Sequence, residues 1–362
     1  MFNLQKQLRT LYVNSSLNAF QIAGASWVAL LAARGCSLVE IGMAESVFHF
    51  TSLLGEVPSG VVSDMWGRKK AMVCSQCLLV LAALAMLVSR GMPGILLAMA
   101  LDALSYNFSS GTREALAYDS LKQEGREGDY DRFSSTELMI YRISGAAATL
   151  CAGLALAIGY RKAYLIDALL GAACLAVTLR LKETGGGGTA GARPDWARIK
   201  ACFRKSFDFL RGEKGAVRLI FLNAGVGAFA TLLGFFLQAR LPACGLPDAV
   251  LGPALFVMGL GGAVGARAVL LFRRWRYGQV YLLAAAGVAV CLGLSFVRAP
   301  VLMIACGSGA ALFDDLIEVR SDIRLNQLVP SGQRATLLSV SSLCFSLVMI
   351  GLSPLLGKLF SM

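Results

Sequence analysis

Glu45, His49, Ser52 and Glu56 follow one another at intervals of four, three and four residues, the repeat that sets side chains on one face of a helix. Glutamate and histidine both carry protons, and His49, the only histidine of the chain, has the side chain whose ordinary pKa lies nearest neutrality. A proton relay is the chemistry such a ladder offers. The alternative is that His49 and Glu56 hydrogen-bond neighbouring helices while Glu45 sits at a water boundary. Asp102 is a second proton candidate, since a carboxyl deep in an apolar run can load a proton on one side and release it on the other. Its competing role is a structural pair with an arginine on a neighbouring helix. Asp315 is a third candidate; Asp314 beside it points about 100° away on a helix, so only one of the two can face a given cavity.

Other polar residues form stripes within apolar runs: Asn14, Asn18 and Gln21; Asp102, Tyr106, Ser109 and Arg113; Asn223, Thr231 and Gln238; Ser308, Asp315 and Glu318. A charge at the centre of a bilayer costs about 2.5–3.5 kcal/mol on insertion scales, so each such residue needs a reason. Any one stripe could serve hydrogen bonding between helices alone.

These residues are carried by a chain made for lipid. Of its 362 residues 56% are hydrophobic and only 15% charged, with mean hydropathy +0.65, where a soluble chain of this length has about 25% charged residues. Hydropathy places spans at about 10–33, 41–63, 71–89, 94–117, 134–158, 162–180, 215–239, 248–272, 279–297, 300–320 and 335–360. The expected architecture is an all-α membrane protein of two bundles with about 11 spans, six then five. Its parts are an N-terminal bundle over about 1–182, a linker over about 183–214 and a C-terminal bundle over about 215–362. The linker opens with Gly185 to Gly188 and continues into a basic amphipathic segment with Trp196, Ile199, Phe203, Phe207 and Leu210 at helical spacing, suited to lie on a membrane face.

With the N-terminus inside, about 24 of the 34 lysines and arginines fall on the inner side, about 7 outside and 3 within spans, which predicts a cytoplasmic N-terminus. The net charge of +12 therefore reflects membrane topology, and no nucleic-acid partner is expected. The first apolar run, about 20 residues long, reads as a span and not as a cleavable leader. Cys74-x-x-Cys77 is the one close cysteine pair and lacks partner ligands, so no metal, redox site or cofactor is expected.

Between the second and third spans runs Gly60-x-x-x-Asp64-x-x-Gly67-Arg68-Lys69. Gly67 permits a tight turn, Arg68 and Lys69 hold it at the headgroups, and Asp64 is an acceptor suited to a neighbouring helix N-terminus. This order resembles the signature loop of the major facilitator superfamily of secondary transporters. Glu56-x-Pro58-Ser59-Gly60, the run Gly111 to Ser120, and Leu325 to Pro330 followed by Arg334-Ala335-Thr336 look like a bacterial subgroup that includes drug and metabolite exporters. The resemblance implies that spans 1, 4, 7 and 10, which carry the four polar stripes, line a central cavity. Arg113, Glu114, Asp119, Arg142 and Arg334 read as gating ion pairs, which the resemblance supports for the neighbourhood of Arg113 together with Asp64. Three departures stand out: eleven spans where the family has twelve, Gly145 and Gly153 in span 5 without the antiporter proline, and a second-half loop Arg273-Arg274-Trp275-Arg276 without an aspartate.

The expectation is a monomeric, proton-coupled transporter of a small molecule in the cell membrane, first an efflux antiporter and otherwise an uptake symporter. A membrane enzyme would need a metal-binding histidine pair or a nucleophile elbow, and ATP-driven transport a phosphate loop; the sequence has none of these. A non-transporting sensor is the remaining alternative.

Overall fold

The computed structural model describes residues 2–184, 204, 211–212, 214–328 and 334–361; the side chains of Asp64, Asn326, Arg334, Ala335, Thr336 and Leu338 lie outside that description. The amphipathic linker segment and the expected roles of Asp64 and Arg334 therefore fall outside the described residues. The described residues form helices joined by short turns, with no strand among them.

In chain order the helices are α1 Leu4–Ala19, α2 Ile22–Ala25, α3 Trp27–Ala33, α4 Leu38–Trp66, α5 Arg68–Val88, α6 Met92–Ser109, α7 Thr112–Gln123, α8 Tyr130–Leu150, α9 Ala152–Ile158 and α10 Tyr160–Leu179. They continue as α11 Lys214–Ala243, α12 Asp248–Ala268, α13 Tyr277–Leu294, α14 Pro300–Leu328 and α15 Arg334–Ser361. Seven of them, α5, α10 and α11 to α15, are each long and apolar enough to cross a membrane, and the pair α8–α9, bent by 46°, makes an eighth candidate. The remaining expected spans are α4, whose 29 residues give it about 43 Å, and two interrupted ones.

Three spans expected to be continuous are broken. The first leaves helical geometry at Phe20 (φ −88°, ψ 72°) and restarts at Ile22 and again at Trp27. The fourth breaks at Ser110–Gly111, where Gly111 takes φ 70°, a conformation only glycine adopts cheaply. The fifth breaks at Cys151. Hydropathy measures apolar length and is blind to such breaks, because they depend on acceptors that distant residues supply to the freed backbone groups.

Contacts gather the chain into two compact units: Met1–Ala25, Leu54–Cys151 and Ile158–Cys202 in the first, and Ser26–Leu53, Ala152–Ala157 and Phe203–Met362 in the second. In the first, α10 packs on α5 and α1, α5 on α6, and α1 on α8. Leu11, Leu116, Leu121, Phe133 and Leu181 form its buried apolar cluster. In the second, α14 is the central helix, flanked by α11, α12 and α13. Gly261 and Gly265 let α12 approach so closely that a Cβ at either would run into the Ser308 or the Leu312 carbonyl of α14.

Candidate functional site

The break between α6 and α7 brings a charged cluster together in the first unit. Arg113, in the first turn of α7 and 8% exposed, places Nε 3.1 Å from Oε1 of Glu137 on α8, itself 7% exposed. The approach is too bent for a hydrogen bond, so the contact is electrostatic. Ser15 of α1 donates to the same Glu137 oxygen at 2.6 Å. The guanidinium also lies 5.9 Å from the centre of the Tyr141 ring, one helical turn beyond Glu137. Glu114 stands 4.0 Å from Arg113 and keeps its buried Oε2 without a hydrogen-bond partner. Glu56 of α4, Glu114 and Tyr141 all act electrostatically on the Tyr106 hydroxyl in the last turn of α6. Tyr106 and Tyr141 are 55% and 40% exposed.

Among the described residues, the half-buried Glu56 and Glu114 thus stand by two exposed phenol rings, next to the buried Arg113–Glu137 pair. Arg113 and Glu137 neutralise one another. Acidic and aromatic groups bind protons, and they bind organic cations.

Close by, the turn after α4 is fixed as its glycine suggested. Gly67 takes φ 101°, and Arg68 pairs with Asp119 at 2.9 Å. The Arg68 and Lys69 backbone N–H groups donate to the Glu183 carboxylate at 2.8 and 3.0 Å, so the start of α5 is capped from beyond α10. A Cβ at Gly67 would collide with that carboxylate, at 2.6 Å. Among the described residues, nothing lies within 4 Å of where a Cβ of Gly60, one turn before Asp64, would be. Of the expected gating residues, Arg113 has Glu137 as its nearer partner, Asp119 pairs with Arg68, and Arg142 is exposed, in none of the ion pairs among the described residues.

Asn14, 1% exposed, donates to Thr178 at 2.8 Å and to Cys174 at 3.2 Å, while Asn18 accepts from Gln76 at 3.1 Å. Gln21 reaches back to the Leu17 carbonyl at 3.4 Å. Ser109 is half-buried at the end of α6, and Asp102 acts electrostatically on Asp167 of α10.

The ladder on α4 divides between the units. In the second, His49 Nε2 lies 3.2 Å from Glu45 and Nδ1 lies 3.2 Å from Ser346 Oγ of α15, with Phe48 and Phe345 edge-on to the ring. Glu56 belongs to the first unit. Further along the second, Asn223 accepts from Ser321 at 3.2 Å, Ser308 donates to the Val257 carbonyl at 3.1 Å, and Thr231 is half-buried. Gln238, 8% exposed, has an unpartnered Oε1, and Glu318 is exposed. Asp314 and Asp315 turn to different neighbours, Asp314 towards Gly227 of α11 and Asp315 against Gly262 of α12, each glycine leaving room for a carboxylate. No group of His, Cys, Asp and Glu among the described residues is arranged to hold a metal ion.

Glu137, Tyr141, Asp167, Glu183 and Asp314 have their places here without having been singled out as site residues from sequence. For Glu137, Asp167 and Asp314 a signal existed, a carboxylate inside an expected span, the same one that marks Asp102.

Among solved structures the chain is similar to a mutant form of the nucleoside transporter NupG, with TM-score 0.79 and 15% identity over 98% of this chain and 91% of the other. It is also similar to a bacterial homologue of the human lysosomal transporter Spinster in an inward-facing state, with TM-score 0.69 and 16% identity over 97% and 80% of the two chains. A D-xylose–proton symporter follows with TM-score 0.70 and 11% identity over 98% and 89%. No curated protein matches the sequence. At these identities the likeness is one of fold. The sequence model of the Major Facilitator Superfamily matches residues 11–354, nearly the whole chain, and the chain belongs to that family.

Proposed function

We propose that the protein is a proton-coupled efflux antiporter of small organic cations, working by alternating access in the cell membrane with its N-terminus in the cytoplasm. The observation that supports this reading is the pair of half-buried carboxylates, Glu56 and Glu114, beside the exposed Tyr106 and Tyr141 at the break between α6 and α7. Glu56 and Glu114 can each hold a proton or face a cationic substrate, but not both at full strength. Competition of two ligands for one charge is the thermodynamic basis of exchange. The basic loops of the sequence set the orientation.

The second reading is uptake by symport, favoured by the similarity to a nucleoside transporter and to a D-xylose–proton symporter. A single experiment separates them. Ethidium is added to purified protein in weakly buffered solution with a pH indicator. Antiport predicts release of a proton as the cation binds, lost in Glu56→Gln. Binding of xylose or a nucleoside, with ethidium inert, would replace the first reading by the second.

A further inference from the structure

The turn that joins α12 to α13 carries Arg273, Arg274 and Arg276, and all three are exposed. Its backbone is held. The N–H groups of Leu270, Leu271 and Phe272 bond back to the carbonyls of Arg267, Ala268 and Val269 at 3.2, 2.9 and 3.2 Å, and that of Trp275 to the Phe272 carbonyl at 3.0 Å. The Trp275 ring stands edge-on to Phe272, 4.9 Å between centres. Arg320 of α14 donates to the Trp275 carbonyl at 2.7 Å, which sets a fourth guanidinium against the turn. Beside it the Tyr277 and Ser321 hydroxyls share a hydrogen bond of 3.0 Å between α13 and α14. Arg324 follows Arg320 by one helical turn, on the same face of α14.

The charges at this end of α14 are sorted by face. Glu318 and Asp322 also stand four residues apart, each two residues before an arginine, so the carboxylates lie about 200° round the helix from Arg320 and Arg324. None of the five arginines is in an ion pair among the described residues. Apolar side chains border them, for Leu270, Leu271 and Trp275 are all exposed, Leu271 by 81%. Since α12 and α13 are each apolar and long enough to cross a membrane, the turn between them falls at headgroup level. An indole is at home at that level, and a guanidinium there can pair two of its N–H groups with one phosphate.

From this geometry we propose that the Arg273–Arg276 turn, with Arg320 and Arg324, is a binding site for the headgroup phosphate of an anionic phospholipid, whose chains lie along Leu270 and Leu271. A zwitterionic lipid offers the same phosphate but brings its own cation, which five arginines repel, so the site selects a headgroup of net negative charge. The inference is independent of the carboxylates of the first unit, of the substrate and of the direction of transport.

The test is native mass spectrometry of the full chain in uncharged detergent, titrated with phosphatidylglycerol or with phosphatidylcholine of the same acyl chains. The wild type should bind phosphatidylglycerol about tenfold more tightly than phosphatidylcholine, and inorganic phosphate in large excess should not displace it. Arg273→Gln combined with Arg274→Gln, and Arg320→Gln by itself, should weaken phosphatidylglycerol binding about fivefold for each arginine removed and leave phosphatidylcholine unchanged. Arg161→Gln combined with Lys162→Gln removes two exposed charges at the start of α10 and should leave the preference intact. Equal binding of the two lipids by the wild type overturns the proposal, and so does the same loss in the α10 variant as in the turn variant. If inorganic phosphate displaces phosphatidylglycerol, the turn takes any phosphate and the lipid site falls. Should Arg320→Gln fail to fold, the variant of Arg273 and Arg274, whose side chains are exposed, decides.

Discussion

Arg113 and Glu137 are each more than nine-tenths buried and hold one another in place. Removing one partner leaves the other charge stranded, which costs about 3–5 kcal/mol, whereas replacing both by apolar residues of similar size is often neutral. Glu137→Leu should therefore lower the thermal unfolding temperature in detergent sharply, and Arg113→Met combined with Glu137→Leu should recover most of the loss. Equal destabilisation by the single and the double replacement would show that the pair contributes through packing alone. Glu56 and Glu114 belong to a different class, because their neighbours are exposed tyrosines. For Glu56→Gln the expected outcome is a flattened pH dependence of transport with little change in unfolding temperature, and a steep profile that survived would move coupling to Asp102. At this scale the sequence was legible where chemistry repeats locally. The interval between Glu45 and His49 does produce a contact, and Gly67 does adopt positive φ. Partners far apart in the chain, such as Glu137 for Arg113 or Glu183 for the start of α5, could not be read, since no local pattern encodes a contact between distant helices.

Helices differ in what their glycines permit. On α12, Gly261 and Gly265 sit one turn apart and bring two backbones together, the small-residue packing that replaces the hydrophobic drive inside a membrane. Gly265→Leu should force α12 off α14 at a cost of about 1–3 kcal/mol or more, seen as a lower unfolding temperature or lost yield. Gly225 and Gly259 have open space at their Cβ positions, and alanine there should be tolerated in the same assay. Apolar length made the helices themselves legible. Their interruptions at Phe20, Ser110 and Cys151 were not, because a break in a span persists only where another element satisfies the backbone, as Asp167 does for α2.

The first unit joins a buried, neutralised ion pair between α7 and α8 to exposed tyrosines and half-buried carboxylates where a span is broken. Interrupted helices at binding sites are a recurrent device of secondary transporters, since the freed backbone and the residues that satisfy it form a polar patch within an apolar body. Family membership was legible from a loop of ten residues, Gly60 to Lys69, because its turn and its charges are locally determined. What crosses the membrane was not, because it depends on side chains that meet only in three dimensions. The central claim is that protons and organic cations compete for the half-buried carboxylates at this break. The most direct test is ethidium flux in proteoliposomes with and without an imposed pH gradient, for the wild type and for Glu56→Gln. The account predicts dye movement against its gradient only when protons flow the other way, and none in Glu56→Gln at comparable protein incorporation. Dye movement that is indifferent to the pH gradient, or unchanged by the substitution, would contradict it.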